Sequence, residues 1–380
     1  MVGGVSYMTE LLEYIDIIED YRQTKKVKHK LKDIVVIVLF ATLAYADNWE
    51  DIETFAEEHE EFLKEYIELE NGVPSHDTIQ RVMGMISPNY FKQIQDKWHE
   101  LLSKEEGEKI KKIICIDGKT MRGNAGKGKR GNHIVSAWCD EDGFCLGEKK
   151  VEEKTNEITA IPELLNMINI KGTVITIDAM GTQVEIVEKI REKKADYVLA
   201  LKENQGITYK EVKEYLEDKE FQEEIKKAGN YKSTTEKSHN QLEKREYYQT
   251  DKIKWLTTKE KWKNIKTIGC IKKTIKKADG TESVEIRYYI SSLKIDIELF
   301  SRAIRQHWSV EVMHWHLDVT FKEDRNTTLD KIAAENMNII RKWCLTILKI
   351  FEIGKIKALR RKRYAICNNP EKYIRQILEL

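Results

Sequence analysis

Thirteen consecutive uncharged, mostly apolar positions from Ile34 to Ala46 are followed by Trp49, Ile52, Phe55, Ala56, Phe62 and Leu63 at helical spacing against an acidic outer face. This pattern predicts a helical domain over residues 1–105. Asn71, Gly72 and Pro74 break it, and Ser75 is placed to cap a helix carrying Ile79, Val82 and Met83. After the polar stretch Ser103 to Glu108 the period changes. Ile113 to Ile116 is a short apolar run ending in Asp117. His133 to Trp138 and Phe144 to Val151 then read as strands joined by the turn Asp140 to Gly143. An amphipathic helix from Glu157 to Ile168, a buried strand from Val174 to Ile177 ending in Asp178, a helix from Gln183 to Lys193 and a strand from Tyr197 to Leu201 complete a mixed-sheet α/β pattern over 106–204. A Lys-rich region, 205–292, interrupts it with strand candidates at Lys244 to Gln249, Ile265 to Lys272 and Val284 to Ile290. Long amphipathic helices, Leu299 to Thr320 and Asp330 to Phe351, fill 293–380.

Composition narrows the class. With 380 residues, 41% of them apolar and 34% charged, the chain can build the cores of roughly two or three domains. The Ile34 to Ala46 run falls short of the roughly 20 residues of a spanning helix, so no membrane span is expected. No leader pattern opens the chain, which places it in the cytoplasm as an expectation. Six scattered cysteines without a CxxC pair argue against a zinc ribbon or disulfide framework and for reduced thiols.

The net charge of +1 conceals segregation. Glu50 to Glu70 carries −9 and reads as a solvated helix face, or as a surface for a second subunit's basic side. Lys252 to Lys277 carries +9, and Arg22 to Lys32 (+6), Lys119 to Arg130 (+5) and Lys349 to Arg363 (+6) add smaller basic runs. Any one run is ordinary solvated surface. Four of them together fit a segmented nucleic-acid footprint.

The chemistry concentrates in two segments of one shape, Ile113-Ile114-Cys115-Ile116-Asp117-Gly118 and Val174-Ile175-Thr176-Ile177-Asp178-Ala179. Each sets a carboxylate at the carboxyl end of a buried strand, the edge of an open α/β sheet where ligands gather. Either each Asp caps the next turn, or the two sit side by side and share a hard divalent cation such as Mg²⁺ or Mn²⁺. Helical spacing places Ile304, His307, Glu311, His314 and Asp318 on one stripe, making Glu311 the third candidate ligand; Glu323, Asp330 and Glu335 are alternatives if the register differs. Paired metals on such carboxylates serve in-line displacement at phosphorus.

These residues resemble the DDE transposases of bacterial insertion sequences, in the H-repeat-associated branch. The resemblance rests on Leu31 to Phe55, Val73-Pro74-Ser75-His76-Asp77-Thr78, Ile116-Asp117-Gly118-Lys119, Ile177-Asp178-Ala179-Met180-Gly181-Thr182-Gln183, Tyr197 to Gln205, Arg305-Gln306-His307-Trp308-Ser309-Val310-Glu311 and His314-Trp315-His316-Leu317-Asp318-Val319. It implies a ribonuclease H-like catalytic core with Asp117, Asp178 and Glu311 as a Mg²⁺-binding triad (Mn²⁺ as substitute) and an insertion in the 133-residue gap between Asp178 and Glu311. It also implies duplex DNA as partner, with two element ends calling for a homodimer. The chain departs from the wider pattern at Ile304, His307 and Asp318, where Tyr, Arg and Lys are usual, and at His239 to Arg245, where His-Gly-Arg is usual.

Among the remaining candidates, Lys119, Arg122, Lys127, Lys129 and Arg130 either hold phosphates near the metals or form a solvated loop. Lys202 could meet a scissile-strand phosphate or an active-site carboxylate, and Arg305 and His307 are further DNA contacts. Trp255 and Trp262 either stack on an unpaired base or pack the insertion's core. His307, His314 and His316 are read as phosphate contacts or packing rather than ligands, and Trp308 and Trp315 as core. The expected function is therefore an insertion-sequence transposase; the rivals are a nuclease of the same fold without strand transfer and a domesticated DNA-binding protein.

Overall fold

Alternation along β1 (Ile113–Thr120) sends Ile113 and Cys115 into one hydrophobic core and Ile114 and Ile116 into the other, so this strand lies between two layers. The computed structural model describes residues 6–102, 111–125, 130–152, 156–238 and 241–380. The expected stretches Ser103 to Glu108, Lys127, Lys129, His239 and Asn240 lie outside the described residues. Strands β2 (His133–Cys139), β3 (Phe144–Lys150), β4 (Val174–Ile177) and β5 (Asp196–Leu201) join β1 in the order β3-β2-β1-β4-β5. β1, β4 and β5 are parallel, and β2 and β3 form the expected hairpin.

The Lys-rich region does not form a sheet of its own. Its strands β6 (Tyr231–Ser238), β7 (Gln241–Thr250), β8 (Thr267–Lys277) and β9 (Glu282–Ser291) extend the same sheet, with β9 antiparallel to β5 in the register Leu199↔Ile290. β9 is buried where it pairs with β5, as is the adjoining end of β8, and both become exposed toward their far ends.

The N-terminal helices α1 (Tyr7–Tyr14), α2 (Leu31–Leu43), α3 (Trp49–Glu58), α4 (Glu60–Leu63), α5 (His76–Met85) and α6 (Pro88–Leu102) do form, as the pattern predicts. Helices α7 (Glu157–Met167), α8 (Val184–Glu192), α9 (Ile207–Glu217) and α10 (Lys219–Lys227) follow, and the first three cover one face of the sheet. On the other face lie α11 (Ile297–Gln306), α12 (Trp308–Trp315) and α13 (Lys331–Ile350), before α14 (Leu359–Asn368) and α15 (Pro370–Leu378).

Every residue of α2 except Lys32 is buried, as expected of a helix apolar on all sides. Its neighbour is α13, so the N-terminal helices share one core with the helices over the sheet. Burial of α13 takes polar groups with it, and several of these find partners. Asn336 donates to the carbonyls of Met83 (2.7 Å) and Ile86 (2.9 Å), and Lys342 meets Glu148 and Ser136 Oγ (2.9 Å).

The expected single helix from Leu299 to Thr320 is broken at His307. Cys115 Sγ donates to the Gln306 carbonyl at 3.2 Å and Thr176 Oγ1 bonds His307 Nδ1 at 3.0 Å, so the sheet engages the chain where α11 gives way to α12. Beyond α12 a π-turn, His316–Thr320, closes with the Phe321 N–H on the His316 carbonyl at 3.1 Å. Trp315, expected in the core, is 53% exposed, because the buried side of α12 is taken by Val310 and Met313.

Close approach fixes one glycine. A Cβ on Gly269 in β8 would come within 2.4 Å of the Tyr248 carbonyl oxygen and 2.5 Å of the Phe300 ring. Gly269→Ala is therefore expected to destabilise the sheet–α11 packing by about 1–3 kcal/mol, read as a lower urea midpoint with an unchanged slope.

Candidate active site

Parallel pairing of β1 with β4 ends at Ile116↔Ile177, and the next residue on each strand is an aspartate. Asp117 and Asp178 are thereby neighbours on adjacent strands, Asp117 still held in β1 by its pairing with Ser136 of β2. Asp178 does cap its turn. Its Oδ1 accepts the N–H groups of Met180 (3.0 Å) and Gly181 (3.1 Å), which fixes the carboxylate and leaves Oδ2 without a hydrogen bond among the described residues. The turn and the ligand readings of Asp178 are thus compatible.

Glu311 comes from α12, which crosses β1. Its carboxyl is pushed above the usual carboxylate range, first by burial and then by the negative charge of Asp117, while Arg287 and His314 work the other way. His314, one turn along, sets Nδ1 3.4 Å from Asp117 Oδ2. Its Nε2 is buried without a hydrogen-bond partner. His307 is held below its ordinary value by burial, against the pull of Asp117 and Asp178. Of the stripe expected from helical spacing, His307, Glu311 and His314 come close to the aspartates across a helix break, while Asp318 meets Lys119.

Asp117, Asp178 and Glu311 offer only oxygen donors, which matches the chemistry of a hard divalent cation. Among the described residues no three His, Cys, Asp or Glu side chains converge into a ready metal cluster. The donors fit in kind, in an open arrangement.

Several expected DNA contacts are placed differently. Lys119 projects from the same face of β1 as Asp117, but its ammonium is enclosed by Asp318 (2.8 Å), Glu323 (2.9 Å) and Asp324 (3.3 Å). Three carboxylates already satisfy it, so Lys119 is corrected from a phosphate contact to a buried structural cation. Glu323, an alternative third ligand, belongs to that cage, and Glu335 pairs with Lys92 at 2.9 Å. Asp330 caps α13 through the N–H groups of Ile332 and Ala333.

Trp262 is 2% exposed and donates its indole N–H to Thr208 Oγ1 at 3.2 Å, so it cannot stack on a base and is corrected to core. Trp255 is 38% exposed and ends a stack on Tyr215 (4.6 Å between ring centres) and Phe221 (4.3 Å further). Arg122 has an exposed side chain 3.9 Å from Asp324. Lys202, just beyond β5, is exposed and makes no ion pair among the described residues. Arg305 is exposed, 3.9 Å from Glu236.

One residue escaped the sequence reading. Arg287 of β9 lies with its guanidinium 5.1 Å from the centre of the Trp308 ring, and its charge acts on both Glu311 and His307. Its only signal in the sequence is the alternation Glu285-Ile286-Arg287-Tyr288, which does not say which face of the strand meets α12.

The family model described as "Transposase DDE domain" matches residues 108–347, and "DDE_Tnp_1-associated" matches residues 12–99. YncI of Escherichia coli O157:H7, which carries a provisional transposase name, is 42% identical over 384 aligned positions, covering 97% of this chain and 94% of that protein. YhhI of Escherichia coli K12, provisionally named an H repeat-associated transposase, is 40% identical over 365, covering 93% and 95%. YbfD of the same strain, named likewise, is 43% identical over 240, covering 63% of this chain and 92% of YbfD. A mixed α/β core, aspartates at the ends of two paired strands and similarity along nearly the whole length agree: the chain belongs to the DDE transposase family, in its H-repeat-associated branch.

Proposed function

We propose that this transposase cuts DNA at the ends of an insertion sequence and joins the freed 3′-hydroxyl to target DNA, each step an in-line phosphoryl transfer. The observation that carries the reading is the register Ile116↔Ile177, which makes Asp117 and Asp178 adjacent, with Glu311 near enough on α12 to feel the charge of Asp117. Asp117, Asp178 and Glu311 would hold divalent metal, Mg²⁺ or Mn²⁺. When bound, such a metal stabilises the charge that builds on the attacking and leaving oxygens.

The chain's own contribution is positioning. The Met180 and Gly181 N–H groups orient Asp178 before substrate arrives, and the His314 ring stands beside Asp117. Residues 1–105 and 205–292 would recognise the element's terminal repeats, 106–204 and 293–380 would form the catalytic unit, and holding two ends calls for two copies of the chain. Exposed Arg122, Lys202, Arg305 and Trp255 are the contacts from the sequence reading best placed for DNA, and buried His307 would act by positioning. No described helix is long and apolar enough to cross a membrane.

The test is incubation of labelled duplexes carrying the ends that flank the gene with Mg²⁺, Mn²⁺ or EDTA. Metal-dependent cutting followed by joining to a second duplex is expected. Cutting without joining would replace the proposal with a nuclease, and binding without either reaction would replace it with a DNA-binding protein.

A further inference from the structure

The strands β8 and β9 bring Lys273 and Arg287 to one face of the sheet as diagonal neighbours, through the register Ile271↔Arg287 and Lys273↔Glu285. Both cations lie over the same ring: Arg287 at 5.1 Å and Lys273 at 5.6 Å from the centre of Trp308. Trp308 opens α12, and Glu311 stands three residues along it, an axial rise of about 4.5 Å. A strand of the Lys-rich region thus delivers positive charge to the first turn of the helix that carries the third carboxylate.

We propose that Arg287, assisted by Lys273, is a substrate-binding residue of the catalytic site and holds a backbone phosphate of the DNA strand being cut. The proposal rests on the DNA-cleaving reading above and adds the residue that grips the substrate there.

Three observations support it. Arg287 uses only Nε within the protein, donating to Glu285 Oε1 at 2.7 Å, and its two terminal nitrogens make no hydrogen bond among the described residues. Those two nitrogens form the planar fork that matches phosphate oxygens. The pocket lined by Arg287, Lys273, Arg245, Arg305, Glu285 and Trp308 has about 70 Å³ open to water-sized groups, so phosphate oxygens can enter beside the guanidinium. Finally, the side chain is 38% exposed, so a strand can reach it, while Trp308 limits where it can swing.

Glu311 and Asp117 repel a phosphodiester, and a cation beside them offsets that repulsion where metal alone would otherwise have to. Lys273 already faces Glu243 at 3.2 Å and would keep that partner, so Arg287 is the stronger grip of the two.

The experiment measures binding of the full chain to end duplexes in EDTA, where no cleavage occurs, across a salt series, with Arg287→Gln and Arg287→Lys beside the wild type. A lost phosphate contact lowers the slope of log K against log salt by about 0.9. Arg287→Gln is expected to show that drop with an unchanged melting midpoint and a lost cleavage rate in Mg²⁺. Arg287→Lys is expected to restore the slope but only part of the rate. An unchanged slope for Arg287→Gln overturns the proposal, whether cleavage survives or fails, since a purely structural prop for Trp308 would leave the salt dependence alone. A wild type that binds end duplexes but cuts none of them in Mg²⁺ or Mn²⁺ overturns the DNA-cleaving reading itself, and this inference with it.

Discussion

Asp117→Asn is expected to lower the rate of DNA cleavage and joining by on the order of a thousandfold or more, with end binding intact and the urea midpoint unchanged. The size follows from the several kcal/mol of transition-state stabilisation that a metal-holding carboxylate supports. The sparing of the fold follows from geometry. Asp117 is held in β1 by backbone pairing with Ser136, and its side chain meets His314 rather than a buried cation, so an amide of the same shape fits. Asp178→Asn should behave alike, because an amide oxygen can still accept the Met180 and Gly181 N–H groups that Oδ1 accepts now. Combining two of Asp117→Asn, Asp178→Asn and Glu311→Gln should cost little more than either alone, since groups that act as one unit fail together. Strand-transfer assays with pre-cut ends separate this outcome from a defect confined to the first cut. A Glu311→Gln protein that kept full activity would remove Glu311 from the site.

Glu323→Gln should be the costliest single change to stability, at about 3–5 kcal/mol, because it leaves the buried Arg341 guanidinium without its carboxylate. The Glu323 side chain is wholly buried, 2.9 Å from Lys119, 3.4 Å from Arg341 and 2.8 Å from Asn338 Nδ2. Burial alone would push its carboxyl up; Lys119 and Arg341 overcome this and hold it at about 2. Lys119 keeps two other carboxylates in the variant, but Arg341 loses its one ion pair among the described residues, and its second terminal nitrogen already lacks a partner there. The pH dependence has a definite sign. A carboxyl depressed by folding stabilises fully above its ordinary value of about 4.3 and loses that contribution as pH falls through about 2. The gap between wild type and Glu323→Gln in urea should therefore be widest near neutral pH and close progressively below about pH 4.

Much of this site could be read from local sequence. Two like segments ending in Asp117 and Asp178 pointed to paired strand ends, and helical spacing put Glu311 and His314 on the side that meets them. Both signals are short-range, and short-range pattern was enough. What could not be read depends on partners far along the chain. Lys119 reads as a loop cation in the sequence because its three carboxylates come some 200 residues later, in and just beyond a π-turn that no periodicity announces. Trp255 and Trp262 share one basic block, yet one is exposed and the other enclosed, because only Trp262 has the Thr208 hydroxyl and the sheet behind it. Trp308 and Trp315 stand seven residues apart, a spacing that puts both on one side of a helix. The helix break at His307 and the burial of Val310 and Met313 instead turn Trp315 outward and leave Trp308 under two cations.

The antiparallel union of β5 with β9 has a consequence for how the protein is made. The ribosome completes β5 at Leu201 but does not reach β9 until Glu282, 81 residues later. At roughly 5–20 residues per second that is a delay on the order of 10 s. Throughout it the nascent parallel strands present an open, apolar edge, the kind that pairs with any neighbouring chain. A polypeptide released inside that interval would keep the edge permanently, carrying Asp117 and Asp178 but neither Arg287 nor Glu311. Premature termination between these two strands should therefore yield insoluble, inert product rather than a dominant-negative competitor for DNA ends, and the host would meet the gene's truncated copies as a burden on its chaperones and proteases.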